Sequence, residues 1–327
     1  EAVNNIKTRI SGKIVGMDAK DQRRIDNTLL ELDDTDNKLN LGANTTLGVS
    51  LACARAFALC ANVELWRHLK DLYGGNSGPA RLRLLMNFIE GGLHAGNGLD
   101  FQEYLVIPRT NNINEAVETG IKLYKVVGRY ITENIGMMSA NVGDEGGFAP
   151  DLSDNVEPFS ILSNVARDAG LSDKVDFGLD AAANNVKIQT EELLSIYRRL
   201  KRDYSLVYLE DPFDEEDFNS FSKLNSEFDQ EAMVAGDDLT VTNLSRMKEA
   251  YDRASINSII IKPNQIGTLT ETLKAIETAR SYGWKVIISH RGGETNDDFI
   301  SDLAFAVGAV QSVGVALGSV CHNKTHS

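Results

Sequence analysis

Apolar and polar positions follow two rhythms along these 327 residues. In the second half, five short apolar runs each finish on a polar residue: 175–180 (VDFGLD), 206–210 (LVYLE), 233–237 (MVAGD), 258–262 (SIIIK) and 285–290 (KVIISH). Their last residues follow one another at intervals of 30, 27, 25 and 28, with a helical pattern in each gap. Short strands alternating with helices in this way predict a parallel α/β barrel, whose functional groups gather at the carboxyl ends of the strands. Asp180, Glu210, Asp237, Lys262 and His290 are then expected around one mouth.

The first 75 residues read as helical. Residues 18–32 place Ile25, Leu29, Leu30 and Leu32 at helical spacing, and a small-residue helix runs from 47 to about 61. Its Ala, Ser and Cys content suits close packing against another element. A helix over 65–73 stops at Gly74-Gly75, and residues 75–80 (GNSGPA) read as a linker. Residues 82–89 and 103–107 are strand-like. The glycine-rich turn between them is too short for a parallel crossover, so this pair is predicted antiparallel. Two helices, 112–135 and 156–169, precede the strand–helix units. Thr268 and Glu271 predict a capping box, and Asn296 is expected to cap a helix from 297 to about 308. Residues 1–80 thus read as a partial, mostly helical N-terminal domain, and residues 81–327 as a TIM-like barrel whose first turn is irregular.

Three converging carboxylates repel one another unless a cation sits among them. An oxygen-only set without Cys or His points to Mg²⁺ or a similar hard ion. Any one of Asp180, Glu210 and Asp237 alone reads equally well as a solvated helix cap; three at the same place in successive units do not. Lys262, beside a divalent cation, would lose affinity for its proton and serve as a general base. Glu145, flanked by glycines in residues 143–147 (GDEGG), is a candidate general acid, with Glu103 sharing its proton network. His94 alone reads as structural, whereas His290-Arg291 offers an arginine fork for phosphate or carboxylate.

Charge and cysteine usage narrow the partners. The net charge is −14 and no basic stripe is visible, which argues against nucleic acid and membrane surfaces. No signal peptide and no bilayer-spanning stretch is read. Cys53, Cys60 and Cys321 lack metal-site spacing and read as reduced cytosolic thiols, the first two filling core space on one helix. The chain opens on Glu1 rather than Met, which reads as a processed or incomplete chain.

The segments GGLHAGNGLDFQEY, NVGDEGGFAP, YLEDPF, GDDLTVTN, IIIKPNQIGTLTET and SHRGGET resemble the enolase family, over about residues 20–305. The resemblance implies an enolase-type barrel with a ββαα first turn, in a cytoplasmic protein that is a homodimer when complete. It implies Mg²⁺-dependent, reversible dehydration of 2-phosphoglycerate to phosphoenolpyruvate. Lys262 would take the proton alpha to the carboxylate and Glu145 would protonate the departing hydroxyl. Asp180, Glu210 and Asp237 would hold Mg²⁺. Gln102, Glu103, His94 and His290 would line the substrate, and Arg291 and Gly292 would meet its phosphate. Racemases and cycloisomerases of the same superfamily carry a Lys-x-Lys pair on an early strand, which Gln102-Glu103-Tyr104 lacks.

The chain also departs from the family pattern. Most of the family's amino-terminal sheet and its final helix have no counterpart in the text. Gly292 replaces a phosphate-binding serine, Glu90 replaces the asparagine of NGG, and Val313 aligns with a substrate-binding lysine. One lost electrostatic contact of that kind costs about 10²–10³ in rate, so these departures imply turnover slower by about 10³-fold or more. A catalytically impaired enolase-like binding or scaffold protein is the alternative expectation.

Overall fold

The computed structural model describes residues 1–74, 83–143, 145–228, 230–290 and 297–309, with the backbone of 311–312. Eight strands form one curled sheet in chain order: β1 (Met86–Glu90), β2 (Glu103–Pro108), β3 (Val175–Asp180), β4 (Leu206–Glu210), β5 (Met233–Gly236), β6 (Ser258–Ile261), β7 (Lys285–Ile288) and β8 (Gln311–Ser312). The β1–β2 pair is antiparallel, as its short connection requires. β2 is antiparallel to β3 as well, and β3 through β8 run parallel.

This reversal sets the geometry of the site. Because β2 runs downward, Glu103 at its start pairs with Asp180 at the end of β3. Two helices, Ile113–Asn134 and Glu157–Asp168, join β2 to β3, where later parallel strands need one main helix. The first climbs from the bottom of the sheet and the second returns. The segment between them, carrying Glu145, is therefore left at the same end as Asp180.

The strands are apolar on both faces because both faces are covered. Inside the curl lie Leu85, Leu105, Ile107, Tyr208, Met233, Ala235, Ile260 and Ile287. Their sequence neighbours Leu209, Val234, Ile259, Ile261 and Ile288 belong to a larger core under the surrounding helices. The one-residue alternation of a strand is what sends Ile260 inward and Ile259 and Ile261 outward.

The amino-terminal helices pack on the segment that follows Lys262. A continuous helical stretch (Ala2–Asn5, Ile6–Ile10 and Ser11–Ile14) has its middle turn wound as π-helix. Helices Gln22–Asp33, Ala43–Cys60 and Leu65–Tyr73 follow. Asp26 accepts hydrogen bonds from the Thr270 N–H at 2.9 Å and its hydroxyl at 2.6 Å. The Thr46 hydroxyl donates to the Gly267 carbonyl, the Leu269 N–H donates to Ser50 Oγ, and Lys38 pairs with Glu271.

Several boundaries differ from expectation. Helix Ala43–Cys60 starts four residues early, because Gly42 at φ +90° turns the chain into it and Thr45 and Thr46 bury in its first turn. By length and composition alone it could cross a bilayer, but its buried Thr46 and Ser50 bind it to the segment 267–269, in keeping with the sequence reading of no membrane span. Cys53 on this helix packs, half-buried, against a small core of Ile10, Ile25, Leu29 and Leu41, whereas Cys60 is exposed, so the expectation of core packing holds for the first alone. The last helix is Phe299–Val307, with Asp297 Oδ1 accepting the Phe299 N–H, and so begins two residues late. Thr268 caps Leu269–Ser281 as predicted, accepting the Glu271 N–H. Gly74, at φ +63°, ends Leu65–Tyr73. The linker 75–80, Asn296, Arg291, Gly292, Val313 and Cys321 lie outside the described residues.

Candidate active site

A cleft of about 340 Å³ opens at the carboxyl ends of the parallel strands. Gln102, Glu103, His94 and Glu145 line it at β2 and the nearby loops; Asp180, Glu210, Asp211, Asp237 and Asp238 form an acidic floor; Lys262, Ser289 and His290 line it at the ends of β6 and β7. All nine described residues singled out from the sequence meet here. Arg291 and Gly292, next in the chain after His290, are the two that the description does not reach.

The floor is crowded with buried carboxyls. Asp180 accepts the Gln102 amide at 3.0 Å through one oxygen and the Ala182 N–H at 3.0 Å through the other. The Tyr208 hydroxyl donates to Glu210, and Lys262 Nζ pairs with Asp237. Oxygens of Glu210, Asp211 and Asp237 all lie within 4.8 Å of one another, and Asp180 stands beside that group rather than within it. Burial pushes Asp180 and Glu210 well above the usual carboxylate range, and the charge of neighbouring acids pushes them further. Lys262 is the positive charge among them. Burial works to lower its pKa, yet Asp237, Glu210 and Asp180 together hold it above the ordinary value. An all-oxygen set of mutually repelling carboxyls fits a hard divalent cation.

Glu103 and Glu145 form a second acidic pair. Burial, then the Glu145 and Asp180 charges, raise Glu103 well above its usual value. Burial would raise Glu145 too, but hydrogen bonds with His290 and Glu103 and the charges of His290 and His94 bring it down to about 2. Two carboxyls shifted in opposite directions at hydrogen-bonding distance suit the sharing of one proton. His290 Nε2 is 3.4 Å from Glu145 and His94 Nδ1 is 4.0 Å from Glu103. His94, discounted when read alone, stands within this group.

Residues 1–69 match the family description "Enolase, N-terminal domain", and residues 83–187 and 183–324 match "Enolase, C-terminal TIM barrel domain". The chain belongs to the enolase family. It is 42% identical to the enolase of Methanopyrus kandleri over 95% of its own length and 75% of that protein. Identity is likewise 42%, over 95% of this chain and 75% of the relative, for the enolase of Methanocaldococcus jannaschii. The enolase of Ehrlichia ruminantium is 39% identical, over 95% of this chain and 76% of the relative.

In this enolase family member the floor depends on residues that the sequence reading passed over. Asp211, 3% exposed, accepts the Asp237 N–H at 3.0 Å and the Asp238 N–H at 2.7 Å, one with each oxygen. It does so from a left-handed backbone, φ +38°, which a non-glycine residue adopts only where its surroundings impose it. Asn184 donates to Asp238, and Thr242 accepts the Lys262 N–H while donating to Gln265. The signals were short: an Asp directly after Glu210, and a doubled Asp at 237–238. Polar residues in adjacent positions point to opposite faces of a strand, so the second of each looked like a surface residue.

Proposed function

We propose that this chain catalyses the enolase reaction, the reversible dehydration of 2-phosphoglycerate to phosphoenolpyruvate. The observation that carries the reading is that Lys262, after β6, and Glu103, on β2 four strands away and paired with Glu145, line one cleft together with the acidic floor. An elimination needs both a base and an acid at the substrate, and Lys262 and Glu145 are the residues of this cleft proposed for those roles.

In this reading Lys262 takes the proton from the carbon alpha to the carboxylate. The proton shared by Glu103 and Glu145 passes to the departing hydroxyl through Glu145, so that water leaves as the carbon–carbon double bond forms. Gln102 orients Asp180 through its amide, and His290 holds Glu145 toward the cleft. Asp180, Glu210 and Asp237 would hold Mg²⁺, which when bound would supply positive charge to offset the negative charge that builds during proton removal. Arg291 and Gly292, which follow His290 in the chain, are assigned to the phosphate. A cytoplasmic homodimer belongs to the same reading, and analytical ultracentrifugation tests the pairing.

The test is conversion of 2-phosphoglycerate by the purified chain with Mg²⁺, alongside deuterium exchange of the substrate alpha proton. Lys262→Ala should abolish both exchange and dehydration. Glu145→Gln should retain exchange while dehydration falls by about 10²–10⁴-fold. Dehydration that survives Lys262→Ala, or a parent chain with neither activity, would sink the proposal.

A further inference from the structure

Glu90, at the end of β1, lies beneath the loop that carries Glu145 and is wholly buried. Its Oε1 accepts the Gly147 N–H at 2.6 Å and the Asn87 side-chain amide at 3.1 Å. Its own N–H donates to the Phe148 carbonyl at 2.8 Å, and the Phe148 N–H donates back to β1 at Phe88. On the preceding residue, the Tyr124 hydroxyl donates to the Gly146 carbonyl at 2.6 Å. The strand after Glu145 is thus gripped at 146, 147 and 148 in succession.

Packing makes the fit mutual. A Cβ on Gly143 would stand 1.8 Å from Glu90 Oε2, and one on Gly147 would stand 2.9 Å from Glu90 Cγ. Neither glycine has a left-handed backbone, so it is space rather than conformation that each supplies. Glu90 fills the room both leave. Within the loop, the Gly143 N–H donates to Gly147 O at 2.9 Å and the Gly146 N–H to Gly143 O at 3.2 Å, closing a tight turn whose apex carries Glu145. The apex meets His290 at 3.4 Å on its far side.

We propose that Glu90 is a positioning residue for Glu145: its carboxyl seats the 143–147 turn and so sets where Glu145 meets the departing hydroxyl. This rests on the reading of Glu145 as the general acid. A carboxyl that only filled core space would support both halves of the reaction alike. A seat for Glu145 serves only the second, because proton removal is assigned to Lys262. The two roles therefore separate in the kinetics.

Glu90→Met keeps length and bulk but cannot accept a hydrogen bond, whereas Glu90→Gln keeps Oε1. With 2-phosphoglycerate and Mg²⁺, Glu90→Met should slow dehydration by about 10–10²-fold at nearly constant KM, with alpha-proton exchange close to the parent rate. Glu90→Gln should stay within about fivefold of the parent, the loss of a single weakened hydrogen bond. Hydrogen–deuterium exchange over residues 142–149, without substrate, should quicken in the Met variant and not in the Gln variant. Glu90→Ala makes the same comparison if the Met variant does not fold. Undiminished dehydration in the Met variant, or equal loss of exchange and dehydration, overturns the proposal. A parent lacking both activities overturns the enolase reading instead, and the loop-exchange contrast then still decides whether Glu90 seats the turn.

Discussion

The Asp237 N–H donates to Asp211 Oδ1 across the tops of β4 and β5, and the next N–H in the chain donates to the other oxygen. Asp211 thereby spends both oxygens on backbone and fixes how Asp237 enters the cleft. Outer partners of a metal ligand, the role proposed for Asp237, are worth about 10–100-fold in metal affinity or activity. We expect Asp211→Asn, which turns an N–H donor toward an N–H donor, to weaken Mg²⁺ binding within that range. Titration calorimetry on the folded variant checks it, and unchanged affinity would remove Asp211 from the site.

Burial raises Glu103, Asp180, Glu210 and Asp211 well above usual values of 4.5 or 3.8. An acid whose folded pKa is raised binds more protons folded than unfolded, so these four destabilise the fold as pH rises past the unfolded values. Glu145, lowered to about 2, works oppositely, but its contribution is complete above 4.5 and does not change near neutrality. In EDTA the melting temperature should therefore fall as pH rises above the unfolded carboxylate range, and excess Mg²⁺ should flatten that slope. Differential scanning calorimetry at matched ionic strength measures both curves; parallel curves would contradict the linkage.

Gly128 lies in helix Ile113–Asn134, where a Cβ would come 2.6 Å from the tip of the Phe148 ring. That ring cannot swing freely, because it stacks on Tyr124 at 4.4 Å. Ala gains about 1 kcal/mol of helix propensity over Gly, while overpacking costs about 1–3 kcal/mol. Gly128→Ala should thus lose on the order of 1 kcal/mol net in urea unfolding. Gly12 has nothing within 4 Å of its Cβ position, so Gly12→Ala should be neutral or stabilising. A stabilised Gly128→Ala would show that Phe148 has room to move.

Cys60 is exposed, whereas Cys53 is half-buried with its thiol pushed up by burial and then by the Asp26 charge. Only the thiolate reacts, so Cys60 should be alkylated faster by about tenfold or more in the native chain. Timed iodoacetamide labelling read by peptide mass spectrometry separates them. Equal rates would mean that helix Ala43–Cys60 opens under native conditions.

The parallel half of the fold was legible because five short, mostly apolar runs each finish on a polar residue at nearly even spacing. Lys262, Glu210 and Asp237 came directly from it. The direction of β2 was half legible: the short turn fixed its pairing with β1, but nothing local revealed that it also opposes β3. That depends on two long helices returning the chain to the bottom of the sheet. Helix starts were misplaced where a glycine or a flanking acid shaped the first turn, as at Gly42 and Asp297. Asp211 and Glu90 stayed hidden for a common reason. Each acts on backbone N–H groups of a segment distant in sequence, and a backbone partner leaves no residue type to recognise.

The inverted course of β2 also bears on how this mouth can be altered. For β3 to β7 the connections that follow the strands line the cleft, but for β2 it is the preceding stretch, residues 91–102, that does so. Lengthening 91–102 would therefore change which molecules reach Lys262, while an insertion at 109–112, on the far end, would leave access as it is. Variation in these two neighbouring stretches of text has opposite meaning. Libraries aimed at new substrates belong in the first, and fusion partners or tags belong in the second.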